Sequence, residues 1–259
     1  MNIHALDTNV VFDIIYNKRD RNSAAIDFYK QFKNLELTIP IKVKEECIKV
    51  LIKYSTQFAK DFNNFLGGQN TLRKHWDDAD TRGKANLIND FERNIKNKED
   101  YKVIRPFYEN ILNKIRRTII FMTTQNINEF LLELPGTIQE YLSDLMNNMF
   151  TIIYPNMSAY GYFEKYREFK VLLKEFFDTK ESSDFEILLN LILLVLVGDV
   201  NNKKIDIIYF YTSDKKFMGN YKAILKDRNK ICNDTSNECV LKNIKFYSMK
   251  DKLEDNVNQ

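Results

Sequence analysis

Short apolar runs that hand over at once to stretches of helical spacing constrain this chain more than any other feature. Residues 3–6, 35–39, 206–211 and 244–247 are apolar runs of strand length, and helical patterns over 10–16 with 23–32, over 41–54 and over 217–225 follow the first three. Strands buried on both faces and alternating with helices imply a parallel α/β sheet. Only seven Gly and four Pro among 259 residues argue against a loop-rich all-β fold. With 44% hydrophobic residues the chain can bury a substantial core, as one large domain or as a domain with a sizeable insertion.

The local signals refine this outline. Pro40 stops the second strand, and apolar residues at 43, 47, 48, 51 and 54 mark the amphipathic helix behind it. Ala24, Ala25, Phe28, Tyr29 and Phe32 give the 23–32 helix its face, with Ser23 at its start. Ser182 and Ser183 precede a strongly apolar helix over 184–197 that Gly198 breaks. Between these parts, 55–178 is polar, dotted with aromatics and helical by pattern, with strand-like alternation only at 151–154. Gly67-Gly68, Pro135-Gly136, Pro155 and Gly161 punctuate it. Phe58, Phe62, Phe65, Ile111, Ile115, Ile119 and Phe121 supply apolar faces that must be buried, so the segment reads as a helical insertion and not a linker. The expected organisation is a discontinuous α/β domain over 1–54 and 179–250, an all-helical insertion over 55–178, and a polar frayed tail over 251–259.

Composition excludes several classes. A net charge of +3 permits a nucleic-acid partner without demanding one. Cys47, Cys232 and Cys239 form no disulfide framework and no Cys-x-x-Cys spacing, which points to free thiols in a reducing cytoplasm. With His4 and His75 the only histidines, a zinc site has few donors. The N-terminus lacks the charged start and apolar stretch of a signal peptide. The most apolar run, 187–198, contains Asn190 and is too short for a membrane span, which needs ~20 residues. No membrane partner is expected.

Four acids sit where apolar strand or helix patterns begin or end: Asp7, Glu46, Asp184 and Asp214. Asp7 and Asp214 follow strands, and in an open parallel sheet ligands bind at the carboxyl ends of the strands. Glu46 and Asp184 lie in the early turns of helices, whose N-termini favour carboxylates. Gathered carboxylates repel one another unless a hard cation neutralises them, which points to Mg²⁺ or Mn²⁺ and to phosphate chemistry. Each acid also has a bland reading: Asp7 or Asp214 as a helix cap, Asp184 as a charge on a helix dipole, and Glu46 or its neighbour Glu45 as a surface helix residue.

The segments Leu6-Asp7-Thr8-Asn9-Val10, Ile39-Pro40-Ile41-Lys42-Val43-Lys44-Glu45-Glu46, Ser183-Asp184-Phe185-Glu186-Ile187 and Thr212-Ser213-Asp214-Lys215-Lys216-Phe217 resemble, in order, the motifs of the PIN-domain nucleases, the family of the VapC-type toxins. The resemblance implies a PIN-like α/β/α sandwich around a central parallel sheet, whose acids bind Mg²⁺ or Mn²⁺ and hydrolyse phosphodiester bonds in RNA. It makes Asp7, Glu46, Asp184 and Asp214 both the catalytic residues and the metal ligands. Thr8, Asn9, Thr212 and Ser213 become the neighbours that orient them. The helical insertion has no counterpart in the small toxins, and Glu46 is preferred to Glu45 only by the family pattern.

A metal-dependent endoribonuclease is therefore the expected function. DNA remains open as a substrate, since an acid cluster would cut either nucleic acid. The alternatives are a catalytically silent PIN-like module that binds RNA or protein, and an acid-cluster phosphatase, against which Asn9 stands where a second Asp would be expected. A homodimer and an antitoxin or other protein partner are both compatible with the resemblance. Within the insertion, Arg73, Lys74 and Trp76, and separately Arg116 and Arg117, are candidate nucleic-acid contacts, as is Lys215 beside the last acid. Asp77, Asp78 and Asp80 offset the first cluster, so a solvated charged face is the competing reading.

Overall fold

A computed structural model of the protein describes residues 1–16, 27–30, 36–67, 70–96, 101–174, 176–177, 182–200, 203–226 and 240–248. The chain divides into two compact units: residues 1–47 with 146–259, and residues 48–145.

The first unit holds the sheet. Strand β1 (Asn2–Leu6) leads into helix α1 (Thr8–Ile15), and β2 (Leu37–Pro40) runs straight into α2 (Ile41–Gly67). In the second unit, α2 is followed by α3 (Asn70–Asp78), α4 (Thr81–Ile95), α5 (Tyr101–Ile119) and α6 (Thr124–Met149). The chain then returns to the sheet with β3 (Thr151–Ile153), α7 (Tyr162–Leu173) and α8 (Ser182–Val197). A small antiparallel pair, β4 (Asp199–Val200) and β5 (Lys203–Lys204), precedes β6 (Ile207–Thr212), α9 (Lys215–Lys226) and β7 (Ile244–Ser248).

The five main strands form one sheet in the order β3-β2-β1-β6-β7, every neighbouring pair parallel. The order grows outward on one side of β1 and restarts on the other at β6. The β1/β6 boundary is thus a topological switch point, where a crevice opens beyond the carboxyl ends of the strands. Apolar residues explain the layering. Ile3, Ala5, Ile208 and Phe210 are buried in the two central strands, and α8, buried almost throughout from Ile187 to Val195, packs against β2, β6 and β7. Each fully buried Leu or Ile there contributes roughly 1.5–3 kcal/mol of transfer free energy. The α/β class with a central parallel sheet flanked by helices is as expected from the strand-then-helix order.

The second unit has its own aromatic core. Phe62 meets Phe91 edge-on with ring centroids 4.9 Å apart and meets Trp76 at 6.1 Å. Phe58 meets Phe91 at 5.7 Å and Tyr108 at 5.2 Å. Phe58, Phe62, Trp76 and Tyr108 are all fully buried. One face expected to be buried is not: Phe121 lies 76% exposed, in the turn between α5 and α6 and off the stripe that ends at Ile119.

Three further expectations are corrected. The helical unit is 48–145 and not 55–178, because α2 runs unbroken from residue 41 to 67 and 151–153 pairs with β2. Pro135-Gly136 does not punctuate the chain but lies inside α6. A proline in a helix interior costs about 3 kcal/mol, and burial of Ile127, Leu131, Leu134, Ile138, Leu142 and Met146 along one stripe of that helix offsets it. The sequence also gave no sign of the β4–β5 pair. Gly161, by contrast, does separate elements: it stands at φ 79° as the N-cap of α7, a conformation glycine adopts without steric cost. The expected 23–32 helix lies mostly outside the described residues, although 27–30 are helical and Phe28 is buried. Cys232, Cys239 and the 251–259 tail lie outside them entirely. Among the described residues no helix is long and apolar enough to cross a membrane.

Candidate functional site

Asp7 is the first residue after β1 and the N-cap of α1, with extended backbone (φ −81°, ψ 160°). Its backbone N–H still donates to the Tyr211 carbonyl at 2.9 Å, so the ladder between β1 and β6 carries one residue past the strand and fixes where the side chain starts. One carboxylate oxygen, Oδ1, accepts from the Thr8 amide at 2.8 Å, and the other, Oδ2, accepts from the Thr212 hydroxyl at 2.5 Å. The residue is only 3% exposed. A cap on a surface helix faces water; this one faces the interior at the switch point.

Thr212 ends β6 and is fully buried. Its hydroxyl donates to Asp7 and accepts from the Asp214 backbone amide at 2.9 Å, which ties the two acid-bearing turns together. Asp214 also does what its bland reading requires. Its Oδ1 accepts from the Lys216 amide at 2.7 Å and the Phe217 amide at 3.0 Å, capping α9. Capping engages one oxygen and leaves Oδ2 for other work.

Glu46 lies in the second turn of α2, and its Oε2 accepts a hydrogen bond from the Thr8 hydroxyl. Glu45 turns elsewhere and pairs with Lys42 at 2.9 Å. Asp184 is half-buried in the first turn of α8. Each acid therefore comes from a different element: β1, α2, α8 and the turn after β6.

The electrostatics show that these groups sense one another. Burial raises the Asp7 carboxyl to about 7, against the hydrogen bonds from Thr212 and Thr8 that favour its ionised form, and the charges of Glu46 and Asp184 push the same way as burial. Asp184 is raised to about 6, first by burial and then by the charges of Asp214 and Glu46. No cationic side chain is among the groups acting on either. Two buried or half-buried carboxylates held without positive charge are a costly arrangement.

The donor chemistry suits a hard divalent cation. All four groups are carboxylates, as Mg²⁺ or Mn²⁺ requires, and a zinc-type set of thiolates and imidazoles is missing from it. The His4 ring is hydrogen-bonded with the Tyr211 hydroxyl at 2.9 Å, and Cys47 is a buried thiol that burial pushes well above its ordinary value. As the side chains stand, no three His, Cys, Asp or Glu among the described residues are close enough together to hold an ion. An ion would have to draw the acids inward against the repulsion that now separates them.

The remaining candidates divide. Thr8 orients both acids, Asp7 through its amide and Glu46 through its hydroxyl. Asn9 and Ser213 are exposed beside the site, and the hydrogen bonds to the Asp7 carboxylate come from Thr8 and Thr212 and not from them. Lys215 is exposed at the start of α9.

The candidate contacts in the helical unit fare differently. Trp76 is corrected: it is 0% exposed, with its indole N–H donating to the Met122 carbonyl at 3.0 Å, so no base can stack on it. Its helix turns it inward because Phe62 and the turn after α5 form a slot for an amphipathic ring. Arg116 is half-buried and bonded to Asn89 at 2.6 Å and Glu92 at 3.1 Å. Lys74 and Arg117 are exposed, and the Arg73 side chain lies outside the described residues.

Residues that the sequence reading left aside also border the acids. Lys42 precedes Glu46 by one helical turn, and Tyr162, Tyr166 and Glu186 act on it or on one another. The only signal for them was that i to i+4 spacing. No family model matches the chain, and no curated protein and no solved structure matches it either.

Proposed function

We propose that the protein is a metal-dependent endoribonuclease with a PIN-like fold, its Mg²⁺ or Mn²⁺ held by Asp7, Glu46, Asp184 and Asp214. The observation that carries this reading is the buried Asp7 beside Glu46 and Asp184 at the switch point, with no cation to balance it. Such a group is poised for a partner of opposite charge, and the site lies where open parallel sheets bind ligands. RNA as the substrate comes from the resemblance of the four motifs to the PIN-domain nucleases.

A bound divalent ion supplies an acidified water and neutralises charge on the phosphate. The chain's own residues do the rest. Thr212 fixes the Asp7 rotamer by holding Oδ2 and also grips the amide of Asp214. Thr8 holds Glu46 in place from the first turn of α1. Lys215, exposed next to Asp214, can attract the phosphate of the strand to be cut. Burial of Asp7 keeps water from competing for its oxygens.

A second reading, a catalytically silent binding module on the same scaffold, is favoured by one observation: both Asp7 oxygens are already hydrogen-bonded and no three acids converge. The deciding experiment is cleavage of a mixed single-stranded and structured RNA pool with Mn²⁺, Mg²⁺ or chelator, comparing the native protein with Asp7→Asn. Metal-dependent cutting that disappears in the variant supports the nuclease. A folded native protein that neither cuts nor binds Mn²⁺ supports the silent module.

A further inference from the structure

On the β2 and β3 side of the acids, three helices begin just after the carboxyl edge of the sheet or lie against one that does. α2 follows β2 directly, α7 follows β3 after a short connection, and α7 packs along α8. Lys42 is in the first turn of α2 and pairs with Glu45 at 2.9 Å. This ion pair and the nearby charges of Glu186 and Tyr166 raise the Lys42 ammonium above its ordinary value, so it stays charged. Tyr162, the first residue of α7, is half-buried and senses both Lys42 and Glu186. Tyr166 lies one turn on, stacked with Tyr162 at 6.4 Å and 22°, and its hydroxyl accepts from Lys170 Nζ at 3.0 Å. Glu186 stands two residues beyond Asp184 in α8, so the whole cluster adjoins the acids.

The acid chemistry does not use these groups. A network that only pinned α7 to α8 would end at the buried side of the helix. Here the aromatic surface continues outward: Phe163 is 67% exposed and meets Tyr162 edge-on at 5.2 Å, and Tyr160 is fully exposed. Arg167 adds an exposed cation on the same helix. Ammonium groups interleaved with accessible rings suit a strand whose phosphates are anionic and whose bases are unstacked. A duplex hides the faces of its bases, so such rings favour single strands. An apolar protein partner has less use for Lys42 and Lys170, which bring charge to the middle of the patch.

We propose that Lys42, Tyr162, Tyr166 and Lys170 form a subsite that seats an unpaired nucleotide beside the acids, its phosphate drawn to the two lysines and its base stacked on Tyr162. This rests on the nuclease reading above and adds the substrate class, single-stranded RNA. These are positioning residues: they hold the strand, and the acids do the chemistry. Tyr160 and Phe163 offer rings to the neighbouring bases.

The test uses the full chain and a fluorescein-labelled RNA oligonucleotide, single-stranded or annealed to its complement. Binding is followed by anisotropy in chelator and cleavage by steady-state kinetics in Mn²⁺. Stacking on one ring is worth ~1–3 kcal/mol, so Tyr162→Ala is expected to weaken single-strand binding about 10-fold and to raise KM with kcat little changed. Duplex binding should not change, and Tyr162→Phe, which keeps the ring, should bind like the native protein. Lys42→Ala should weaken binding and flatten its salt dependence by about one charge. Native-like single-strand affinity in both Tyr162→Ala and Lys42→Ala would overturn the subsite, even if the native protein cuts RNA. Loss of single-strand binding in these variants, in a native protein that binds but never cuts, would support the subsite and remove the nuclease. A change in sedimentation with RNA binding intact would assign the face to a protein contact and overturn the proposal.

Discussion

The Thr212 hydroxyl donates to Asp7 Oδ2 at 2.5 Å, joining the end of β6 to the residue after β1 across the boundary where the strand order reverses. This bond favours the ionised carboxylate and works against the burial that raises Asp7 to about 7. Removing it with Thr212→Val should raise Asp7 further and weaken Mn²⁺ binding by ~10–100-fold, the usual effect of losing a partner that orients a metal ligand. The pH at which Mn²⁺ binds half-maximally should move upward, and Thr212→Ser should restore it. Titration with Mn²⁺ between about pH 6 and 9 checks this; an unchanged midpoint in the valine variant would remove Thr212 from the site.

Stability without metal should fall as pH rises. Asp7 is at about 7 and Asp184 at about 6 in the folded chain, against 3.8 for an ordinary Asp. Between the two values the folded state holds protons that the unfolded state has lost, so the stabilisation is complete below about 3.8 and disappears as pH rises through 6 to 7. For Asp7, almost fully buried, the shift corresponds to roughly 4 kcal/mol as an upper bound. Thermal melting in chelator from about pH 5 to 8 measures it. A Tm that climbs over this interval would contradict the carboxyl shifts.

A divalent ion should reverse that trend. Mn²⁺ needs deprotonated carboxylates, so the rise in Tm that it causes should be larger at pH 8 than at pH 6 by the linkage of metal and proton. Asp7→Asn removes the buried charge and is expected to raise the chelator Tm at pH 8 by at least ~2 °C. The same variant should lose most of the Mn²⁺ response. Equal Mn²⁺ responses in variant and native protein would place the ion elsewhere.

Asp7→Asn should also reduce RNA cleavage by more than the ~10–100-fold expected for an orienting partner such as Thr212. Because the variant keeps the side-chain shape, its circular dichroism should match that of the native protein. Comparing single-turnover rates of the two proteins at saturating Mn²⁺ is the relevant measurement. Activity equal to native would exclude Asp7 from the chemistry.

In the helical unit, Trp76 acts on stability and not on RNA. It is fully buried against Phe62 and bonded to the Met122 carbonyl, so Trp76→Ala should cost about 3–5 kcal/mol. Lys74→Ala, at an exposed position, should stay within about 0.5 kcal/mol. Denaturant unfolding distinguishes the two. A Trp76 variant with native stability would contradict the observed packing.

The α/β class was legible because apolar runs of strand length are local, and 3–6, 37–40 and 207–212 carry their signal in a few adjacent residues. The breaks were less legible. Pro135-Gly136 looks like an interruption to any local rule, and only the burial of Leu131, Leu134 and Ile138 on one stripe explains a helix that runs through it. The limits of the helical unit were hidden for the same reason: α2 and α6 pass from one unit to the other without a change in pattern.

The positions of the acids at element ends could be read from the order of residues alone, since an Asp after an apolar run emerges at a strand end whatever surrounds it. Partners far apart in the chain could not. That Thr8 holds Glu46 while Glu45 turns to Lys42, that Thr212 reaches Asp7, and that Trp76 points inward all depend on which faces the sheet and the helices bury. Sequence by itself determined which elements form and which end of each carries a carboxylate, because those follow from local periodicity and chain direction. Tertiary structure decided which carboxylates are desolvated and which charges face one another, because burial and Coulomb energy depend on distances that only the packed chain defines.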